Sequence, residues 1–335
     1  MRRTMIAGLV LLLAGAAAAQ ETNQQTKFSG FVDAAWFYDA ATKAGEFGVD
    51  QVEVDVEHQA GERALVRADL EWLKDGEGYV AQVEQAYVQY TARCGWALSF
   101  GKFNAPIGYE VLDPTGMFQY SHSLLFTYAA PTNLTGVKVA RDLGAGWDLA
   151  AHLSNGWDRS TADKHVTVGG RLGLVRGGFS GGLSAISGKE EMPGEGEGDP
   201  SSPLTRTVFD SDLSLVRGAW RFGGEVSLGD VTTAGGDAQW LGLMAMAHVD
   251  FSPRAGLTLR VDHLDDQDGW LFGTVDGQVQ ARRSLTIAPT FTLADGLGAL
   301  VEMRVDQSDR EAFLDSDGLP TDSAVTFAVE MTGSF

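Results

Sequence analysis

The residues that could do chemistry are few. Ser121-His122-Ser123 supplies a nucleophile type beside a base type, and Asp262-His263 and Asp265-Asp266 supply acid–base types. Neighbours on an extended chain point to opposite faces, so Ser121 and Ser123 cannot form a Ser–His hydrogen bond with His122 directly. With 6 His in 335 residues and no spacing that requires a partner, no catalytic residue is expected, and an enzyme is not the reading. Glu190, Glu191, Glu195, Glu197 and Asp199 form one acidic cluster and Asp265, Asp266 and Asp268 another. Neither has the spaced Gly and closing Glu of a calcium loop, so both read as solvated outer loops and no metal site is expected. Gly177-Gly178 and Gly181-Gly182 have no helix after them to complete a phosphate loop. Cofactors are expected to be none.

The carrier of these residues is acidic, with 25 Lys+Arg against 45 Asp+Glu and a formal charge of −20. That excludes nucleic acid as a partner, because phosphate contacts need a basic face. Cys94 is the single cysteine, which excludes an internal disulfide and a Cys-rich zinc site. Arg2 and Arg3 precede an apolar run from Met5 to Ala19, with Ala17 and Ala19 placed as a signal-peptidase site. Residues 1–19 therefore read as a cleaved secretory signal peptide, too short for a membrane-spanning helix, followed by one domain over 20–335.

Beyond Gln20 the pattern alternates. In Val52-Glu53-Val54-Asp55-Val56-Glu57 every second residue is apolar, which places one face in an apolar medium and the other in water. Sixteen such strands of roughly ten to fifteen residues fit the chain, starting near Lys27, Phe47, Gly61, Val80, Cys94, Thr132, Ala145, Asp163, Phe179, Leu204, Gly218, Asp237, Arg254, Val279, Gly296 and Asp322. Twelve or fourteen are the alternatives. Connections after even strands are tight; those after odd strands are longer, at 42–46, 74–78, 106–131, 155–162, 188–203, 230–236, 265–277 and 306–320. Such segregation is a property of a transmembrane barrel. The expected fold is all-β, a transmembrane antiparallel up-and-down β-barrel, with both termini periplasmic and the location the outer membrane. The closing strand ends on Phe335, with Met331, Val329, Phe327 and Val325 on its face, resembling the signal read by the barrel assembly machinery.

If the apolar face meets lipid, the polar face lines a lumen. The phase puts Glu53, Asp55, Arg63, Arg67, Lys138, Arg171, Arg260, Arg282, Glu302, Arg304 and Asp306 on that wall. Acids and bases so interspersed suit water, since a dry interior penalises each unpaired charge by several kcal/mol. Loop 106–131 differs from the others in being aromatic, with Glu110 and Asp113 its only acids. It is expected to fold into the barrel or over its mouth, placing Tyr109, Glu110, Asp113 and Tyr120 at a constriction. There the two acids would face wall arginines such as Arg67, Arg171, Arg260 or Arg304 and set a transverse field. Trp36, Tyr38, Trp96, Trp147, Trp220 and Trp240 read as interfacial girdles.

The run Gly101-Lys102-Phe103-Asn104-Ala105-Pro106-Ile107-Gly108-Tyr109-Glu110, with Asp113-Pro114, Tyr120-Ser121-His122-Ser123-Leu124-Leu125-Phe126, Pro131 and Thr135-Gly136-Val137, resembles the second β-barrel porin family, the outer-membrane porin L-like proteins. Glu302, Arg304, Asp306, Gln307, Ser308 and Phe313 are similar to that family's penultimate strand. The resemblance implies an outer-membrane porin and supplies no catalytic residues. The expected function is passive diffusion of small hydrophilic solutes and ions through a water-filled barrel narrowed by the long loop. The alternatives are a plugged structural or envelope-interaction barrel and an outer-membrane hydrolase. Expected partners are outer-membrane lipid and lipopolysaccharide, the assembly machinery, and further copies of the chain as a homo-oligomer, by analogy a trimer.

Overall fold

The computed structural model describes residues 25–162, 164–192 and 202–335. The signal-peptide reading at 1–19, and Glu195, Glu197 and Asp199 of the acidic cluster, lie outside the described residues. The chain forms β1 (Gln25–Asp39), β2 (Ala44–Ala60), β3 (Ala64–Asp75), β4 (Gly78–Thr91), β5 (Ala97–Asn104), β6 (Asn133–Gly144), β7 (Trp147–Ser154), β8 (Thr167–Arg176), β9 (Phe179–Met192), β10 (Ser202–Arg217), β11 (Trp220–Thr233), β12 (Gly236–Ser252), β13 (Ala255–Asp266), β14 (Gln280–Ala294) and β15 (Leu297–Ser308). A short hairpin of β16 (Phe313–Leu314) and β17 (Pro320–Thr321) precedes β18 (Ser323–Ser334). β1 to β15 and β18 make one closed antiparallel barrel, shut by β1 against β18 with Phe31 opposite Ser334 and Asp39 opposite Thr326. Closure leaves no strand edge to lipid.

The sixteen wall strands match the expected count. Two are shorter than expected, β5 and β7 at 8 residues each. Both stop where the chain leaves the wall: β5 gives way to the long loop, whose return is held by Asp158, accepting from the N–H groups of Thr132 and Asn133 at 2.9 and 2.7 Å. The loop parity holds with three corrections. The connections expected at 74–78 and 230–236 are two-residue turns at 76–77 and 234–235, because the flanking strands continue to Asp75 and Thr233 and resume at Gly78 and Gly236. Glu190 and Glu191 belong to β9 rather than to a solvated loop, and Glu190 accepts from the Trp157 N–H at 3.2 Å.

The outward face is apolar, with Leu183, Phe209, Val226, Leu243, Leu259, Leu285 and Val329 all exposed. Trp220 stacks on Phe222 and Trp36 on Tyr38 along that surface, as girdle residues. Trp240 does not join them. It points inward at 2% exposure and meets Trp157 edge-on. Its ring lies over Gly229 on β11, where a Cβ would come within 1.8 Å of the indole, so only glycine leaves the space.

Trp240 belongs to an interior apolar cluster that the lipid-side reading of the apolar residues omits. Phe103, Leu124, Leu125, Leu134, Ile186, Val208, Val231, Met244, Met246 and Leu264 are buried together inside the barrel. This core explains why an aromatic loop enters. A π-helical turn, Leu125–Ala129, carries Leu125 and Ala129 to zero exposure against it, and burying a leucine side chain contributes about 1.5–3 kcal/mol.

Candidate functional site

Loop 105–132 lies inside the barrel, as its composition predicts, and its backbone is held chiefly by the strands of one side. Its backbone N–H groups donate to wall carboxylates: Gly108 to Asp210 at 3.3 Å, Tyr109 to Glu225 at 2.8 Å, Tyr120 and Ser121 to Glu302 at 2.8 and 3.1 Å, and Leu124 to Asp262 at 3.0 Å. Arg304 donates to the His122 carbonyl at 2.6 Å. The anchors stand on β10, β11, β13 and β15, and the Tyr120 hydroxyl adds Asp50 of β2 at 2.9 Å. A loop backbone taken out of bulk water needs these acceptors and donors.

The four loop residues singled out in the sequence take different places. The Tyr109 ring packs on Gly223, whose missing Cβ makes the contact possible. Glu110 is buried: it accepts from Arg260 at 2.7 Å, Gln119 Nε2 at 3.0 Å and the Ser123 N–H at 2.7 Å. Burial pushes its carboxyl up, but Arg260, His122 and the Ser123 N–H outweigh that and hold it below the usual range. Asp113 precedes a 3-10 turn, Pro114–Gly116. Burial first, then Glu84, Asp55 and Asp69, push its carboxyl up to about 6, with Arg67 opposing. Tyr120 bridges the loop to β2 and β15.

The transverse field expected from loop acids facing wall arginines is therefore corrected. Only Glu110 finds such a partner in a buried ion pair, and that pair is neutralised where it sits. Arg171 makes a two-pronged pair with Asp212 of β10, one contact at 2.8 Å, and Arg304 pairs with Asp306 at 2.8 Å. Asp113 stands chiefly against acids. Arg67 pairs with Asp69 at 2.8 Å and lies 3.9 Å from Asp55. Lys138 sits 4.6 Å from the Phe103 ring centroid, and Arg282 sits 4.3 Å from that of Phe272. Arg63 is not a wall residue: it lies in the turn between β2 and β3, one residue before the strand begins. Phe335 points outward at 70% exposure, with its N–H on the Gly30 carbonyl at 3.1 Å.

Opposite the loop anchors, β2 to β4 carry an acidic ladder. Glu53 is the cross-strand partner of Glu71, and Asp55 of Asp69. Two bulges add to it. The register skips Asp50 between β1 and β2 and Glu84 between β3 and β4, and a bulge re-aims a side chain. Glu84 and Gln85 are consequently both buried on the inner side. One carboxylate oxygen from each of Glu53, Glu71 and Glu84 lies within 4.8 Å of the others. Gln51 Nε2 donates to Glu53 and Glu71 at 3.2 and 2.9 Å, Gln82 to Glu71 at 2.8 Å, and Asn104 to Glu84 Oε1 at 2.9 Å. Sequence periodicity passes over Asp50 and Glu84, yet each begins an acid-Gln pair inside a strand, Asp50-Gln51 and Glu84-Gln85, and that break in alternation is a usable bulge signal.

The candidate hydrolytic residues are engaged elsewhere. The Ser121 hydroxyl accepts from Arg260 at 3.2 Å, the Ser123 hydroxyl accepts from the Phe126 N–H at 3.2 Å, and His122 Nε2 meets the Val111 carbonyl at 3.0 Å. Asp266 organises its loop by accepting from the N–H groups of Trp270, Leu271 and Phe272 at 2.8, 2.9 and 2.8 Å.

A family model described as Putative beta-barrel porin-2, OmpL-like matches residues 25–335. No curated protein matches the chain. Among solved structures, the fold resembles in-vitro folded OmpT, an outer membrane protein of Vibrio cholerae, in its trimer form (TM-score 0.70, 10% identity, 93% of this chain and 99% of that one). It also resembles the anion-selective porin from Comamonas acidovorans (TM-score 0.68, 13% identity, 93% and 100%) and Salmonella typhi OmpF in complex with daunomycin (TM-score 0.62, 12% identity, 92% and 97%).

Proposed function

Because the chain belongs to the Putative beta-barrel porin-2, OmpL-like family, and so is a porin of the outer membrane, we propose that small hydrophilic solutes and ions diffuse passively past loop 105–132, along the wall of β2 to β6. The observation that carries this path is that the loop's backbone N–H groups are anchored on β10, β11, β13 and β15, with the Tyr120 hydroxyl reaching Asp50 at the β2 edge of that wall. Across from those anchors, Arg67 and Asp55 keep 32% and 22% of their side-chain surface exposed. The passage is edged by Asp55, Arg67, Lys138 and Asp113, with Glu53 buried in the same wall. Glu110, Arg260, Glu302 and Arg304 hold the loop in place, and Arg171 and Arg282 support the wall. No residue acts as a catalyst in this reading.

The same proposal places both termini in the periplasm and the long connections outside, with residues 1–19 removed on export. Phe335 is read by the barrel assembly machinery, lipopolysaccharide surrounds the outer rim, and three copies associate. The trimer form of the similar Vibrio cholerae protein supports the last point by analogy.

Single-channel conductance of the refolded mature chain under a salt gradient tests the function. Stepwise conductance with a cation-biased reversal potential is expected. A folded, heat-modifiable barrel that passes no current overturns the diffusion channel in favour of a plugged structural barrel.

A further inference from the structure

The wall of β2 to β4 holds an arrangement that ordinary packing disfavours. Like charges placed directly across a strand pair are destabilising, yet Glu53 faces Glu71, and the bulge in β4 adds Glu84 to the same spot. The neighbouring like pair, Asp55 and Asp69, has Arg67 to compensate it. Among the described residues, no Lys, Arg or His nitrogen lies within 4.0 Å of the carboxylates of Glu53, Glu71 or Glu84; Lys102, the nearby cation on β5, donates instead to the Val83 carbonyl at 2.6 Å.

What points to a ligand is one atom. Glu84 is 2% exposed, and its Oε2 is buried without a hydrogen-bond partner. Gln51, Gln82 and Asn104 hold other oxygens of the trio, and none of them reaches that one. A buried carboxylate oxygen lacking a donor is costly unless something positive meets it.

We infer that Glu53, Glu71 and Glu84 bind a hard divalent cation of calcium size on the lumen wall, beside the tip of the long loop. Carboxylate oxygens are the ligands such ions take, at roughly 2.3–2.6 Å. Oxygens up to 4.8 Å apart therefore fit around one calcium ion, whereas magnesium, at roughly 2.0–2.1 Å and with strict octahedral geometry, fits less well. The site departs from the expectation of no metal, which rested on the outer-loop acids and not on these. The inference rests on the lumen being aqueous, since the ion must reach the wall. Occupied, the site would cancel negative charge beside Asp113 and weaken the preference for cations.

The test uses the full mature chain, refolded in detergent, stripped with a chelator, and titrated calorimetrically with calcium chloride and, separately, magnesium chloride near neutral pH. One calcium ion per chain is expected, bound more tightly than magnesium. Glu84→Gln is expected to weaken binding by at least about tenfold, while Glu62→Gln, an equal loss of charge in the β2–β3 turn, leaves it unchanged. If Glu84→Gln fails to fold by the heat-modifiability criterion, Glu71→Gln replaces it. Absence of calcium binding in the unsubstituted chain overturns the inference and leaves a proton shared among the carboxylates. Binding indifferent to both substitutions overturns it as well. Conductance measured on the same preparation separates this from the channel reading, because a conducting pore without calcium binding refutes the site alone, and calcium binding without current refutes the channel alone.

Discussion

Glu110 and Arg260 stand 150 residues apart in sequence, yet their side chains meet at 2.7 Å with 1% and 0% of their surfaces exposed. Asp262 lies 3.2 Å from the same guanidinium and shares its charge. Removing one partner of a buried pair costs roughly 3–5 kcal/mol, less where a second acid remains. Glu110→Gln is therefore expected to lower the thermal midpoint of the folded-to-unfolded gel shift and to raise conductance by loosening the loop, with little change in ion preference. Combining it with Arg260→Met should recover part of the lost stability, as a coupled pair requires. Additive losses in the double variant would show that the two residues act independently.

Asp113 should set the pH response of ion preference. Its carboxyl sits on the loop and titrates near 6. Because that lies above the ordinary carboxylate value, the folded state favours the protonated form: the charge is present above about pH 6 and lost as pH falls through it. Reversal potentials recorded from neutral pH downward should show cation preference shrinking across that interval, and Asp113→Asn should be weakly cation-selective throughout. A wild-type reversal potential that stays flat over the same range counts against Asp113 as the controlling group.

Deleting Phe335 distinguishes recognition from stability. The ring is exposed to the lipid side, and Ser334 still pairs with Phe31 without it. The refolded variant should keep its thermal midpoint, while the amount reaching the outer membrane in cells falls severalfold. Equal losses in both assays would make the residue a structural one.

Much of the scaffold was legible in the sequence. Alternation in segments such as Val52 to Glu57 fixes which residues face lipid, and the aromatic content of 106–131 marks the one long connection that cannot remain in water. The site was less legible for two physical reasons. Alternation assumes an unbroken pleat, so the bulges that bring Asp50 and Glu84 inward escape it. It also equates apolar with outward, which leaves no place for an inward apolar core such as that of Val208, Met244 and Met246. The stretch Trp240-Leu241-Gly242-Leu243-Met244-Ala245-Met246, apolar on both faces, carried the warning. Pairings such as Glu110 with Arg260 have no local signature.

The anchoring of the long loop bears on the order in which the barrel is made. Its partners Asp210, Glu225, Asp262 and Glu302 lie 102, 116, 138 and 182 residues further along the chain. Contacts of such separation form late, because a large segment must first be brought back. The loop therefore has no seat while only the first strands exist, and once β18 has zipped to β1 the lumen offers it only the two mouths as entrances. The seat of the loop is complete only when the C-terminal strands are in place, so that sealing the cylinder and gauging its bore are coupled.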